Sequence, residues 1–162
     1  MLTIQQKARH GGAWQAELVL PYEQRQKCRL RTRTTGGEEV GLFLPRGQSL
    51  RHGDILLADD GRRVRVTAMP EAVLQVECGD ALQLARIAYH LGNRHVPLQL
   101  GQGWLRIAAD DVLRQMVEGL GGTAVPMQAP FEPEPGAYGS HAHAPPEAPA
   151  HRGIIHQYVS TP

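Results

Sequence analysis

The sequence predicts an α+β chain: an all-β unit over residues 1–70, a β-α-β-β-α-β unit over residues 71–131, and a disordered, histidine-containing tail over residues 132–162. Three observations carry this expectation. Apolar residues recur with period two as far as Pro70. Beyond it, two stretches recur at helical spacing between short strand-like runs. After Phe131 the periodicity stops and Pro, Ala, Gly and Glu dominate, a composition that buries too little to order itself.

In the first unit, Trp14, Ala16, Leu18 and Leu20 alternate with Gln15, Glu17 and Val19, ending at Pro21, which reads as a half-buried strand. Cys28, Leu30, Thr32 and Thr34 then alternate with Arg29, Arg31 and Arg33, so the three arginines share one strand face. Such a face suits phosphate or an acidic partner surface. Pairing with Glu38 and Glu39 across the Gly36-Gly37 turn is the simpler explanation, and a partner surface stays open. Val40 to Leu44 is a further strand, closed by Pro45-Arg46-Gly47. Gly53-Asp54 turns the chain into Ile55-Leu56-Leu57, and Asp60-Gly61 is a hairpin signal before Val64-Arg65-Val66. His52 is read as a turn residue. The change of pattern falls at Met69-Pro70-Glu71.

Val73 to Cys78 opens the second unit as a strand. Asp80 is an N-cap, and Gln83 three residues on completes a capping box. Leu84, Ile87, Ala88 and Leu91 follow at i, i+3, i+4 and i+7, one buried stripe. Gly92 is the expected left-handed residue that ends this helix. His90 sits in the last turn, where the negative end of the helix dipole favours an imidazolium by roughly 0.3–1 kcal/mol. His95 lies outside the helix beside Arg94, and that explanation does not reach it. Leu98 and Leu100 begin a strand, Gly101-Gln102-Gly103 turns it, and Trp104 to Ile107 returns. Asp110 or Asp111 caps a second helix with Leu113, Met116, Val117 and Leu120 on its apolar face, so Met116 is core. Gly121-Gly122 stops it and Thr123 to Met127 is the last strand. This order is the ferredoxin-like arrangement, two helices on one face of a four-stranded antiparallel sheet.

Hydrophobic residues make up 41% of the 162 and charged ones 20%, with net charge +1 and mean hydropathy −0.34, so neither nucleic acid nor a membrane surface is an expected partner. Aromatics, at 5%, are too few for an RNA-binding sheet. No apolar run approaches the ~18 residues of a membrane span and Met1 to Lys7 holds no signal-peptide core, so a cytoplasmic location is expected. Cys28 and Cys78 lack metal-ligand spacing and read as reduced core residues. The ligand inventory is therefore mostly histidine, and four of the eight histidines, His141, His143, His151 and His156, lie in the tail. Metal capture and mere composition drift both account for that concentration. Two small units bury little interior, which favours an oligomer.

The run Tyr89-His90-Leu91-Gly92-Asn93-Arg94-His95-Val96-Pro97-Leu98-Gln99 resembles the signature of the urease accessory nickel metallochaperones. Leu44-Pro45-Arg46-Gly47-Gln48-Ser49-Leu50-Arg51-His52-Gly53-Asp54 resembles that family's N-terminal motif, and the similarity runs nearly the whole chain in the family's order. The resemblance implies a non-enzymatic homodimer with no catalytic residue, in which His95 of each subunit binds nickel at the interface. It also implies auxiliary ligands at His90, His141, His143, His151 and His156, a partner- or peptide-binding N-terminal domain, and delivery to the urease-associated GTPase and apo-urease. Arg29, Arg31 and Arg33 are candidates for the GTPase contact. Imidazole equally suits zinc or copper, so only the resemblance selects nickel. Some members carry His-x-His where this chain has Ala108-Ala109-Asp110-Asp111, so no metal site is expected there. The alternatives are a general nickel or zinc buffering protein, or a metal-dependent hydrolase. The latter needs three ligands and a placed base, and the sequence has no His-Glu-x-x-His run.

Overall fold

The computed structural model describes residues 1–9 and 11–136. The first unit is a six-stranded sheet built from β1 (Leu2–Lys7), β2 (Ala16–Leu20), β3 (Arg29–Arg33), β4 (Glu39–Phe43), β5 (Ile55–Ala58) and β6 (Arg63–Ala68). Its order is β2-β6-β5-β1-β4-β3. The period-two pattern becomes physical here: Leu2 and Ile4, Leu18 and Leu20, Val40 and Leu42, and Val64 and Val66 all point into one core. The alternating residues on β6 are half-buried.

Two features depart from an all-β meander. A one-turn helix, α1 (Tyr22–Arg25), follows Pro21, whose fixed φ suits a helix start. The strands also pair out of sequence order, with β1 parallel to β4 and β2 parallel to β6. The sequence reading left β1 unnamed, and it lies inside the sheet between β5 and β4.

Met69 alone separates β6 from β7 (Pro70–Glu77), where the second sheet begins. There follow α2 (Ala81–Gly92), β8 (Gln99–Leu100), β9 (Trp104–Ala108), α3 (Asp111–Gly119) and β10 (Thr123–Pro130). The order is β10-β7-β9-β8, with every neighbouring pair antiparallel. Leu74 faces Ile107 and Val76 faces Leu105 in register, and Ile87, Leu91 and Val117 of the helices close over them. Met116 packs in this core.

Both helices start on an aspartate: Asp80 accepts from the Gln83 backbone N–H at 2.8 Å and Asp110 from that of Leu113 at 2.8 Å. The capping box is shifted by one residue, because the Gln83 side chain accepts from Gly79 at 2.8 Å and not from Asp80. Asp80→Ala is expected to lower the unfolding free energy by about 1 kcal/mol, read from the urea midpoint.

The two sheets meet at a joint centred on Arg25, which is 1% exposed. Its guanidinium donates to the carbonyls of Leu20 and Phe131 and to Glu132 at 2.7 Å. Glu132 accepts a second bond from the His52 backbone N–H at 2.7 Å, and Tyr22 meets Phe131 edge-on at 5.3 Å. These contacts correct one expectation. Residues 132–136, read as the start of a disordered tail, are held against the body: Glu132 N–H bonds the Gln99 side chain at 3.0 Å and Glu134 N–H bonds the Leu98 carbonyl at 2.8 Å.

Surface carboxylates of the first unit are tied to arginines. Arg62 donates to Glu38 at 2.8 and 3.0 Å and to Asp60 at 2.7 Å, while Arg31 and Arg33 both reach Glu39. Hydrogen bonds from Arg62 hold the Glu38 and Asp60 carboxyls below their ordinary range, and those from Arg31 do the same for Glu39. A carboxyl whose folded value is depressed contributes stability above its unfolded value, about 4, and loses it as pH falls through the folded value. Urea midpoints are therefore expected to fall steadily below about pH 4, and less steeply for Arg62→Ala.

Candidate functional site

The segment that stands out chemically is the exit from α2. Its buried stripe, Leu84, Ile87, Ala88 and Leu91, fixes the helix against the sheet. The helix does not end at Gly92, which keeps helical geometry, and Asn93 continues with φ −61°. The left-handed residue is His95, at φ +54° and the only non-glycine with positive φ among the described residues. The Val96 N–H bonds the Leu91 carbonyl at 3.2 Å and the His95 N–H bonds the Gly92 carbonyl at 2.9 Å. That is the Schellman pattern, with His95 at the C′ position glycine usually fills and Val96 packed in the same apolar cluster as Leu91.

An L-residue in this conformation costs roughly 1–2 kcal/mol relative to a right-handed one, although His tolerates it better than most. The surrounding bonds and the Val96 anchor impose it. Strain of this kind persists where a side chain is wanted at that point, and here the side chain is an exposed imidazole. Arg94 is turned aside, its guanidinium resting on the Met116 sulfur of α3. His90 sits half-buried one turn back, its ring edge against Tyr89 at 5.5 Å. Tyr89 itself is 66% exposed.

No group of three or more His, Cys, Asp or Glu side chains converges on one point among the described residues. The His95 imidazole therefore offers a borderline-soft metal one ligand per chain, and a closed site requires ligands from elsewhere. The structure does not supply the three-ligand set of a metal hydrolase among the described residues. His141, His143, His151 and His156 lie outside the described residues.

Other sequence candidates have structural occupations. The His52 Nδ1 accepts from the Ala68 backbone N–H at 3.2 Å. Asp110 caps α3 and Asp111 pairs with Arg114 at 3.1 Å, so the Ala108–Asp111 segment is taken up by helix initiation. Cys28 and Cys78 are free and half-buried, and burial pushes the Cys78 thiol up, which keeps it protonated and a poor ligand. Arg31 and Arg33 are ion-paired with Glu39 at 3.1 and 2.7 Å, whereas the Glu38 expected opposite them belongs to Arg62. Sequence reasoning missed the role of Arg25, whose partners lie more than a hundred residues away. It also missed the αL position of His95. The one available signal was the apolar pair Leu91 and Val96, the spacing of a Schellman contact.

Sequence comparisons agree along the chain. The family model described as UreE urease accessory protein, N-terminal domain, matches residues 2–69, and that for the C-terminal domain matches residues 71–158. A urease accessory protein UreE of Azotobacter vinelandii is 56% identical over 144 residues, covering 88% of this chain and 87% of that protein. One from Pseudomonas fluorescens is 54% identical over 144 residues, with the same coverage. One from Nitrosospira multiformis is 50% identical over 143 residues, covering 88% of this chain and 81% of its own.

Proposed function

This chain belongs to the UreE family of urease accessory proteins, whose role lies in urease maturation, and we propose that it carries nickel as cargo at a site shared by two copies. The observation that supports this reading is the exposed His95, held in a strained backbone position with no companion ligand on its own chain. A two-fold axis near His95 doubles the ligand set without new sequence, because a residue close to the axis meets its own copy. The exposed apolar side chains Tyr89, Leu82 and Leu100 are consistent with a dimer interface on the second unit.

In this account residues 71–131 form a ferredoxin-like domain for nickel binding and dimerisation, and residues 1–70 form a domain for binding partners. The tail histidines, with His90 as an auxiliary, supply exchangeable ligands. A flexible segment from Phe131 has an r.m.s. reach of about 18 Å at His141 and about 28 Å at His156. Exchangeable ligands suit a donor, because a closed four-ligand cage releases metal slowly. The recipients are the urease-associated GTPase and apo-urease, in the cytoplasm. No described helix is long and apolar enough to cross a membrane. Zinc and copper are expected to bind in vitro through the same imidazoles.

Activation of purified apo-urease with its GTPase, at limiting nickel, tests the reading. The wild-type chain is expected to raise urease activity and His95→Gly to leave it near the level without carrier. Equal activation by both would overturn the assignment of His95.

A further inference from the structure

The arginine strand is not absorbed by nickel transport. β3 is the terminal strand of the first sheet, paired only with β4. The Leu44 N–H to Cys28 carbonyl bond at 2.7 Å and the Thr34 N–H to Glu38 carbonyl bond at 2.9 Å show which residues face β4. By antiparallel alternation, the N–H and C=O groups of Arg29, Arg31 and Arg33 are therefore directed away from the sheet. β3 first meets β2 only beyond its end, where Thr35 N–H bonds the Glu17 carbonyl at 2.9 Å. The edge from Arg29 to Arg33 is open among the described residues.

Register puts Arg29 opposite Phe43, Arg31 opposite Gly41 and Arg33 opposite Glu39, all on the outer face. Phe43 folds its ring over Gly41, where an added Cβ would lie 2.9 Å from the ring. Phe43 is nevertheless 48% exposed and neighbouring Met1 69%. Between them and Arg29 and Arg31 runs an open groove of about 490 Å³. The charge is unbalanced: Arg31 and Arg33 share the single carboxylate of Glu39, and Arg29 has no ion pair among the described residues.

We propose that the open edge and outer face of β3 dock an extended acidic segment of a partner protein, which adds to the sheet as a further strand. Main-chain bonds to Arg29, Arg31 and Arg33 supply affinity, as in other strand additions. Alternate residues of a strand lie about 6.6 Å apart on one face, so carboxylates at i and i+2 of the incoming strand meet Arg29 and Arg31. An apolar side chain beside them covers the Phe43 ring. Edge arginines also guard a sheet against unwanted pairing, but a guard requires neither an exposed phenylalanine nor a groove, whereas Phe, Met and Arg together are what protein interfaces enrich.

The test uses the full-length chain and a fluorescein-labelled, end-capped octapeptide of alternating Glu and Val, followed by anisotropy. Three control peptides are a Lys-for-Glu version, a block sequence of the same composition, and a version N-methylated at alternate backbone nitrogens. The expected result is saturable, salt-weakened binding of the alternating acidic peptide. Each control, and the variants Arg29→Glu/Arg31→Glu and Phe43→Ser, is expected to bind at least tenfold more weakly. Both variants change exposed side chains, and circular dichroism checks that they fold. Equal binding of the block or N-methylated peptide would reduce the surface to unspecific charge attraction and overturn the proposal. So would unchanged binding by the variants, absence of binding, or concentration-dependent self-association abolished by Arg29→Glu/Arg31→Glu, which would make a second copy the occupant. Nickel binding is not read in this assay, so its outcome stands apart from that of the nickel reading.

Discussion

Arg25→Ala is expected to destabilise the protein by roughly 3–5 kcal/mol, the usual cost of breaking a buried charge pair from one side. The guanidinium is buried, and its loss leaves the carbonyls of Leu20 and Phe131 and the Glu132 carboxylate short of a donor at once. Glu132 still bonds the His52 N–H, which moderates the loss. Arg25→Lys is expected to recover only a minor part, because an ammonium is a point charge and cannot present a planar fork to three acceptors. Arg29→Ala, on the exposed strand face, is the control and should stay within about 0.5 kcal/mol of wild type. Thermal unfolding is expected to show a fall of about 10 °C for Arg25→Ala, taking 2–4 °C per kcal/mol for a chain of this size. The same variant should unlock residues 132–136 from the body, seen as faster amide exchange at Glu132 and Glu134, whose N–H groups bond Gln99 and Leu98.

His95→Gly has effects of opposite sign on folding and on metal. Glycine adopts the left-handed C′ conformation without strain, so the unfolding free energy should be unchanged or higher by up to about 1 kcal/mol, the relief being offset by the entropy of an unfolded glycine. Nickel affinity should fall by more than about 100-fold. Loss of a mere supporting contact to a ligand already costs 10–100-fold, and in a two-fold dimer this substitution deletes two imidazoles. The combination separates a ligand from a scaffold residue. A histidine retained for structure would lose stability on replacement. His95→Asn, which also tolerates φ near +54°, should behave like glycine toward the metal.

Local chemistry was legible in the sequence where it acts over a few residues. Asp80 and Asp110 precede apolar stripes and each accepts from the backbone N–H three residues on. Alternation identified the inward faces of β2, β4, β5 and β6, and two helical stripes gave the β-α-β-β-α-β order of the second unit. Pairing between distant strands was not legible. The parallel partners β1·β4 and β2·β6 follow from how the sheet closes over its core, and a period of two says nothing about which strand lies alongside. Arg25 read as an ordinary polar residue because its meaning depends on Phe131 and Glu132, brought near only by the tertiary fold.

The site was legible in a different sense. The His90–His95 run could be singled out, but the sequence placed the left-handed residue at Gly92, the residue type that usually ends a helix. The chain instead continues to Arg94 and turns at His95, because the apolar contact between Leu91 and Val96 sets the position of the turn. A residue-type preference of about 1 kcal/mol yields to the burial of a valine, worth about 1.5–3 kcal/mol when complete. How two copies meet is not a property of one chain, which is why the shared site stands as a proposal.

The most direct test of the shared site is its stoichiometry. Nickel titration calorimetry on the full chain with His141, His143, His151 and His156 all replaced by alanine, with mass followed by light scattering, removes the tail ligands and leaves the body intact. The account predicts one tight nickel per two chains, bound to a dimer and lost in the same protein carrying His95→Gly. One tight nickel per single chain, or a tight site indifferent to His95→Gly, would contradict it.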